Sequence, residues 1–324
     1  MWLSCSSVGR KFVMAITGAV LVLFVTFHCC MNSIAICWPA AYNSLCEFLG
    51  ANWYALIASV ALALFILIHI VYAVILTLQN RKARGNVRYA ISKRPKTVEW
   101  SSKNMLVLGI IILAFLVVHM IQFWAKMQLQ EIRGVHDVLP PAAGTLFLQE
   151  AFSLVYTPIV YIIGFVALWF HLNHGIWSMF QSTGWDNTAW IARLKKVAVW
   201  WSSLVVFLFI TQAIVFTVKA HDHYFIKDPV LREQYKEMLI PMFEKDFGPD
   251  AATFFQTQTY DQVKRVVQSQ YQQFQSPEAI EYFKNDPTFP QKLEVINSAN
   301  GLFEYLSQYD EPEPQMPNPM VQPQ

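Results

Sequence analysis

Charged residues are missing from five long stretches of this chain: 12–46, 48–80, 104–125, 151–185 and 197–218. Each is longer than the roughly 20 apolar residues that cross a bilayer. Turn residues trim the stretches to predicted spans of about 12–36, 53–79, 104–126, 152–181 and 197–219. Asn52, Ser101, Ser102 and Asn104 offer helix starts, and Pro39 and Pro140-Pro141 fall in loops. Pro158 marks the first turn of the fourth span or kinks it. Beyond residue 220 the pattern changes, with polar segments at 229–247 and 260–275 carrying helical periodicity between Pro and Asn turns. The final 15 or so residues are rich in Pro and Gln and read as disordered. The expected fold is an all-α membrane protein: a five-helix transmembrane bundle over residues 1–220 and a polar, largely helical extension over 221–324.

Charge sharpens this division. Residues 1–220 carry 16 Lys and Arg against 6 Asp and Glu, whereas residues 221–324 carry 8 against 16. The connection between spans two and three holds Arg81, Lys82, Arg84, Arg88, Lys93, Arg94, Lys96 and Lys103 against Glu99, and Arg193, Lys195 and Lys196 precede span five. The connections at 37–52 and 127–150 are poor in Lys and Arg. The positive-inside rule then places the N-terminus and both basic loops in the cytoplasm and the C-terminal extension outside. Arg10 and Lys11 before an apolar run resemble the start of a signal peptide, but the run is too long for one and is read as a retained span.

The five cysteines, Cys5, Cys29, Cys30, Cys37 and Cys46, form neither CxxC nor CxxCH, so no zinc ribbon or covalently attached haem is indicated. Cys29 and Cys30 read as small buried hydrophobes. Cys37 and Cys46 bracket an outer loop, where a disulfide is an open alternative.

The chemistry lies in the histidines. His28, His69, His119 and His171 each sit deep in one of the first four spans, and His174 follows His171. An ionisable side chain inside a span is costly and is a functional candidate by default. At about 1.5 Å of rise per residue, His28 and His119 lie about 24 and 23 Å from the inner ends of their spans. Spans two and four run the opposite way, so His69 and His171 lie near the inner side. Two pairs at two levels are what two haem irons would need, each between opposing imidazoles. His171 and His174 compete for the fourth position. Gly164 and Gly175 share the face of His171 and offer clearance for a flat ring, or equally close helix packing. Trp100, Lys103 and Arg10 are candidates for the propionate side of the inner haem, whereas His136, His221 and His223 read as solvated.

The opening SSVGRKFVMAITGAVLVLFVTFHCCMN, with its small-x-x-x-Lys-x-x-Met-Ala-x-Thr-Gly pattern before a deep His, resembles the first helix of a known family. That family is the single-anchor, five-helix, di-haem cytochrome b subunit of succinate dehydrogenases and fumarate reductases, and the likeness covers about residues 1–220. It implies two haems b, with His28 and His119 on the outer one and His69 and His171 on the inner one. The family's fourth ligand precedes a glycine by four residues, which favours His171 over His174. It further implies a membrane quinone such as menaquinone, an iron-sulfur subunit and a flavoprotein subunit docked on the basic cytoplasmic face, and a bacterial inner-membrane location. In that family this subunit passes electrons and does no dicarboxylate chemistry itself.

Two departures stand out. Trp169 takes the place where some members carry a glutamate assigned to a proton path, so that route is not expected here. Glu47, on the outer loop, is a candidate proton acceptor at the quinone, with a solvated loop carboxylate as the equal alternative. The second departure is the extension, which exceeds the family's usual length and is expected to cover the outer quinone site or bind another envelope protein. Competing readings are a cytochrome b anchor of another quinone-linked dehydrogenase or hydrogenase, and a transporter with a histidine relay. The latter would call for carboxylates within the spans, and the spans contain none.

Overall fold

A computed structural model describes residues 6–50, 52–84, 100–134, 137–185 and 187–310, and among these every regular element is a helix. Helix α1 (Ser7–Cys37) is followed by the short α2 (Pro39–Gly50) and by α3 (Trp53–Arg84). Next come α4 (Trp100–His119), the short α5 (Gln128–Arg133) and α6 (Gly144–Phe152), then α7 (Tyr156–Ser182) and α8 (Thr188–His221). Five of these helices are long and apolar enough to cross a membrane: Ser7–Cys37, Trp53–Ala83, Trp100–Trp124, Tyr156–Ser182 and Ala189–His221.

Local chemistry sets their ends. Ser6 caps α1, its Oγ accepting from the Gly9 N–H at 2.9 Å, so the helix starts before the charged pair Arg10-Lys11 and not after it. Asn187 caps α8 by accepting from the N–H groups of Ala189 and Trp190, which draws the basic residues of that region into the helix. There Arg193 lies over the Trp190 ring and Lys195 over the Trp177 ring, long cations stacked on aromatic faces. Pro158 stands in the first turn of α7, where the missing N–H costs nothing. The fourth span therefore begins at Tyr156, because 151 and 152 still belong to α6.

The stretch expected as a loop at 37–52 is helix α2, and it is packed rather than loose. Asn43 Oδ1 accepts from both the N–H and the hydroxyl of Thr145, capping α6 from another helix with all partners buried. Gly144 makes this approach feasible: a Cβ there would lie 2.4 Å from Cys46 Sγ and 2.8 Å from the Tyr42 ring. Cys46 and Cys37 are both free thiols. Burial pushes the Cys46 thiol up to about 12, so it is an inert packing group.

Between the membrane helices, small and polar side chains share the contacts with larger ones such as Phe165 and Phe209, stacked at 5.0 Å. Ala15, Cys29, Ala35, Ala198, Ser202, Gln212 and Ala213 are buried, whereas Leu23, Leu64, Leu67, Trp200 and Phe207 are more than half exposed. Cys29 is thus interior, but Cys30 faces outward on α1. Gln212 donates to the Cys29 carbonyl at 2.9 Å and to Ser33 Oγ at 2.8 Å, tying α8 to α1.

The chain divides into two units, Met1–Val135 with Pro141–Asp222, and His136–Pro140 with His223–Gln324. The second contains α9 (Tyr224–Lys227), α10 (Pro229–Glu237), α11 (Ile240–Phe247) and α12 (Pro249–Thr257). It continues through α13 (Tyr260–Phe274), α14 (Pro277–Tyr282) and α15 (Phe289–Ser307). Both segments with helical patterning are helical, the first broken into α10 and α11 near Leu239. Phe225, Tyr235, Val263, Ile296, Leu302 and Phe303 are fully buried in this unit. The sequence offered no sign that a piece of the connection between spans three and four joins it. There Ser298 Oγ donates to the Asp137 carbonyl, and Val138 seats against Gly301. The Pro/Gln-rich end expected to be disordered, as well as Arg88, Lys93, Arg94, Lys96, Glu99, Cys5 and His136, lie outside the described residues.

Candidate functional site

The four span histidines meet in two pairs. His28 of α1 faces His119 of α4 with ring centroids 5.7 Å apart and planes at 86°. His69 of α3 faces His171 of α7 at 6.4 Å and 61°. All four histidines are half-buried. His174 packs edge-on against Trp177 instead, 4.9 Å away, and His171 takes the position opposite His69.

Aromatic rings surround the first pair. Phe24 stacks on His28 at 5.4 Å and Phe209 lies 6.3 Å from it, while Phe115 and Phe123 flank His119 at 5.8 and 5.3 Å. Gly164 serves this shell. A Cβ on it would come within 2.6 Å of the Phe115 ring, so the glycine lets α4 seat that phenylalanine on α7. Gly175, by contrast, has open space where a Cβ would stand.

The second ring nitrogen is held in one member of each pair. His119 Nδ1 lies 3.1 Å from the Tyr161 hydroxyl. That hydroxyl donates its proton to Gln122 Oε1 at 3.0 Å, and Gln122 Nε2 donates to Thr157 Oγ1 at 3.0 Å. With its proton directed to Gln122, the phenol oxygen is free to accept from the imidazole, and in the tautomer with hydrogen on Nδ1 His119 presents a bare lone pair on Nε2. His119 also ends the regular part of its helix: Met120–Trp124 forms a π-helical turn, a wide turn that recurs at functional sites and here brings Gln122 inward.

The other pair repeats this logic with shorter parts. His69 Nδ1 lies 3.1 Å from Thr17 Oγ1, whose proton goes to the Val13 and Met14 carbonyls of its own helix at 2.9 and 3.1 Å. With its proton on a carbonyl the threonine oxygen can accept from Nδ1–H of His69, the tautomer that leaves Nε2 bare. A Cβ on the neighbouring Gly18 would stand 3.6 Å from His69 Cε1, in ordinary contact. The Met-Ala-x-Thr-Gly sequence of α1 thus has a physical role, to seat the His69 ring. On the partner ring, His171 Nδ1 is buried and has no hydrogen-bond partner among the described residues.

These residues fit a haem iron held between two imidazoles. A metal about 2 Å from each of two opposed ring nitrogens sets the ring centroids roughly 6 Å apart, close to both observed spacings. Among the described residues no three His, Cys, Asp or Glu side chains gather as a caged ion would require.

The remaining candidates are scattered. Trp100 packs on Phe170 at 5.0 Å, and both line a cavity of about 250 Å³ with Trp169, Asn173, Trp177 and Lys195. Lys103 is exposed on α4, Arg10 half-buried on α1, and Glu47 exposed on α2. The Trp169 indole donates to Ser203 Oγ at 2.9 Å, joining α7 to α8. His221 is exposed as expected, but His223 is not simply solvated: it adopts φ 55° and stacks on Tyr309 at 3.6 Å. Sequence reasoning did not single out Tyr161, Gln122 or Thr157, and it quoted Thr17 without giving it a role. Polar-tipped side chains are common in spans, and only Gln122, one turn beyond His119, carried any positional hint.

The chain matches no protein-family model, no curated protein and no solved structure.

Proposed function

We propose that this chain is the membrane anchor and electron-transfer subunit of a succinate dehydrogenase or fumarate reductase complex, holding two b-type haems between His28 and His119 and between His69 and His171. One observation carries the reading: two separate histidine pairs, each drawn from two different spans, each with the ring spacing that a shared iron would set. Haem, when bound, would supply one-electron chemistry inside the membrane, with His28 and His119 holding one and His69 and His171 the other. The chain's own work is to present four Nε2 lone pairs, to fix two of the rings through Thr17 and Tyr161, and to keep water out with Phe24, Phe115, Phe123 and Phe209.

The partners follow from the same reading. Arg81, Lys82, Arg84, Lys103, Arg193, Lys195 and Lys196 form the cytoplasmic face on which an iron-sulfur subunit and its flavoprotein dock. His69 and His171 form the inner pair, and His28 and His119 the outer pair beside a membrane quinone, with menaquinone the expected type. Glu47, exposed between spans one and two, exchanges the quinone's protons with the outer solvent. The location is a bacterial inner membrane. An electron moved between the two levels crosses much of the membrane field, about 2.3 kcal/mol per charge per 100 mV.

Reduced-minus-oxidised spectra and haem quantification on the protein purified with its natural partners test this directly. The expected result is two non-covalent b haems per chain, one lost in His28→Ala or His119→Ala and the other in His69→Ala or His171→Ala. A colourless wild-type protein overturns the reading and returns the histidines to helix packing.

A further inference from the structure

Both pairs share a feature that haem binding alone does not require: a hydroxyl with another acceptor for its own proton lies 3.1 Å from Nδ1 of one ring. At His69 the acceptor is Thr17, tied back to carbonyls of its own helix. At His119 it is Tyr161, tied forward through Gln122 to Thr157. Tyr161 and Thr157 are buried on α7, and Gln122 is buried in the π turn of α4, so the chain of donors links the ligand's helix to its neighbour.

We propose that Tyr161 and Thr17 are positioning residues for the two haems, each fixing the tautomer and rotation of one axial histidine and lowering the reduction potential of the haem it serves. The proposal rests on the two-haem reading above. The direction follows from electron supply: an acceptor on Nδ1–H makes the imidazole a stronger donor through Nε2, and a stronger donor favours the oxidised iron. In both cases the hydroxyl has another acceptor for its own proton, which leaves its oxygen available to Nδ1–H. The two devices differ in reach. Thr17 is anchored within one helix, whereas the Tyr161 chain passes through a side-chain amide and depends on Gln122 remaining an acceptor.

The experiment uses the full complex, with haem content, redox titration of both haems, and low-temperature electron paramagnetic resonance of the ferric state. In Tyr161→Phe, both haems are expected to remain, with the potential of one raised and its g-values moved while the other is unchanged. Thr17→Val is expected to do the same to the other haem. Gln122→Leu, which keeps the phenol but removes the acceptor for its proton, should shift the same haem as Tyr161→Phe by a smaller step. If Tyr161→Phe does not accumulate, Gln122→Leu carries the test. Unaltered potentials and g-values with two haems present overturn this proposal and leave the anchor reading standing, whereas a wild-type complex without haem overturns the anchor reading itself.

Discussion

The two units of this chain are both helical, yet they differ in what they leave outside. In the membrane-type unit polar residues such as Thr17, Ser202 and Gln212 are buried beside alanines and larger apolar residues such as Phe165 and Phe216, and many more large apolar side chains point outward. In the unit beyond residue 222, Phe225, Tyr235, Leu302 and Phe303 are buried, and charged groups cover the outside or pair. The difference is one of solvent. Where the surroundings are as apolar as leucine, burying leucine yields little, so helices associate through close packing and interhelical hydrogen bonds. In water, apolar burial dominates. Even the buried cation of the polar unit fits this account: Lys236 is held by Glu233 at 2.8 Å and by the Gln258 carbonyl at 2.7 Å.

The largest effect that would test this contrast is Phe303→Ala. Its ring is fully buried and meets Tyr260 at 5.4 Å, so its loss is expected to cost about 3–5 kcal/mol. Amide hydrogen exchange on the full-length protein should report that loss in α13 and α15. A smaller cost is expected for Gln212→Leu in the membrane unit, about 1 kcal/mol, since it removes bonds between α8 and α1 while keeping volume. Unfolding in mixed micelles measures it. In the same assay the exposed Leu64→Ala should stay within about 0.5 kcal/mol of wild type. Equal costs for Gln212 and Leu64 would break the comparison.

Acid gives the smallest expected effect and acts on the polar unit. Burial raises the Asp310 carboxyl, but Arg232 at 2.5 Å and Lys264 at 3.3 Å outweigh it and hold the group below its ordinary value. A lowered folded value means stabilisation that is complete above about pH 4 and lost as pH falls through the depressed value. Exchange in α10 should therefore quicken below that pH in wild type, and Asp310→Asn should flatten the dependence. A variant that keeps the full acid response would show that Asp310 is not its source.

The five spans and the four deep histidines were legible in the sequence because each is a one-dimensional property. Absence of charge over some twenty residues decides a span, and counting residues from its end gives the depth of His28 or His119. The start of the fourth span was less so, since the apolar Phe152, read as its first residue, closes α6 instead. Rotation about the helix axis was not legible. A span is apolar on every side, so its pattern does not say which face meets a neighbour. For that reason the seating of Phe115 on Gly164 and the hydroxyl partners Thr17 and Tyr161 emerged only from the tertiary structure. The same holds for the segment at 137–140, whose place beside α15 depends on the Asp137 carbonyl and on Val138 meeting Gly301. Length and charge act along the chain and can be read from it, whereas helix rotation and the pairing of distant polar atoms are settled only when the helices pack.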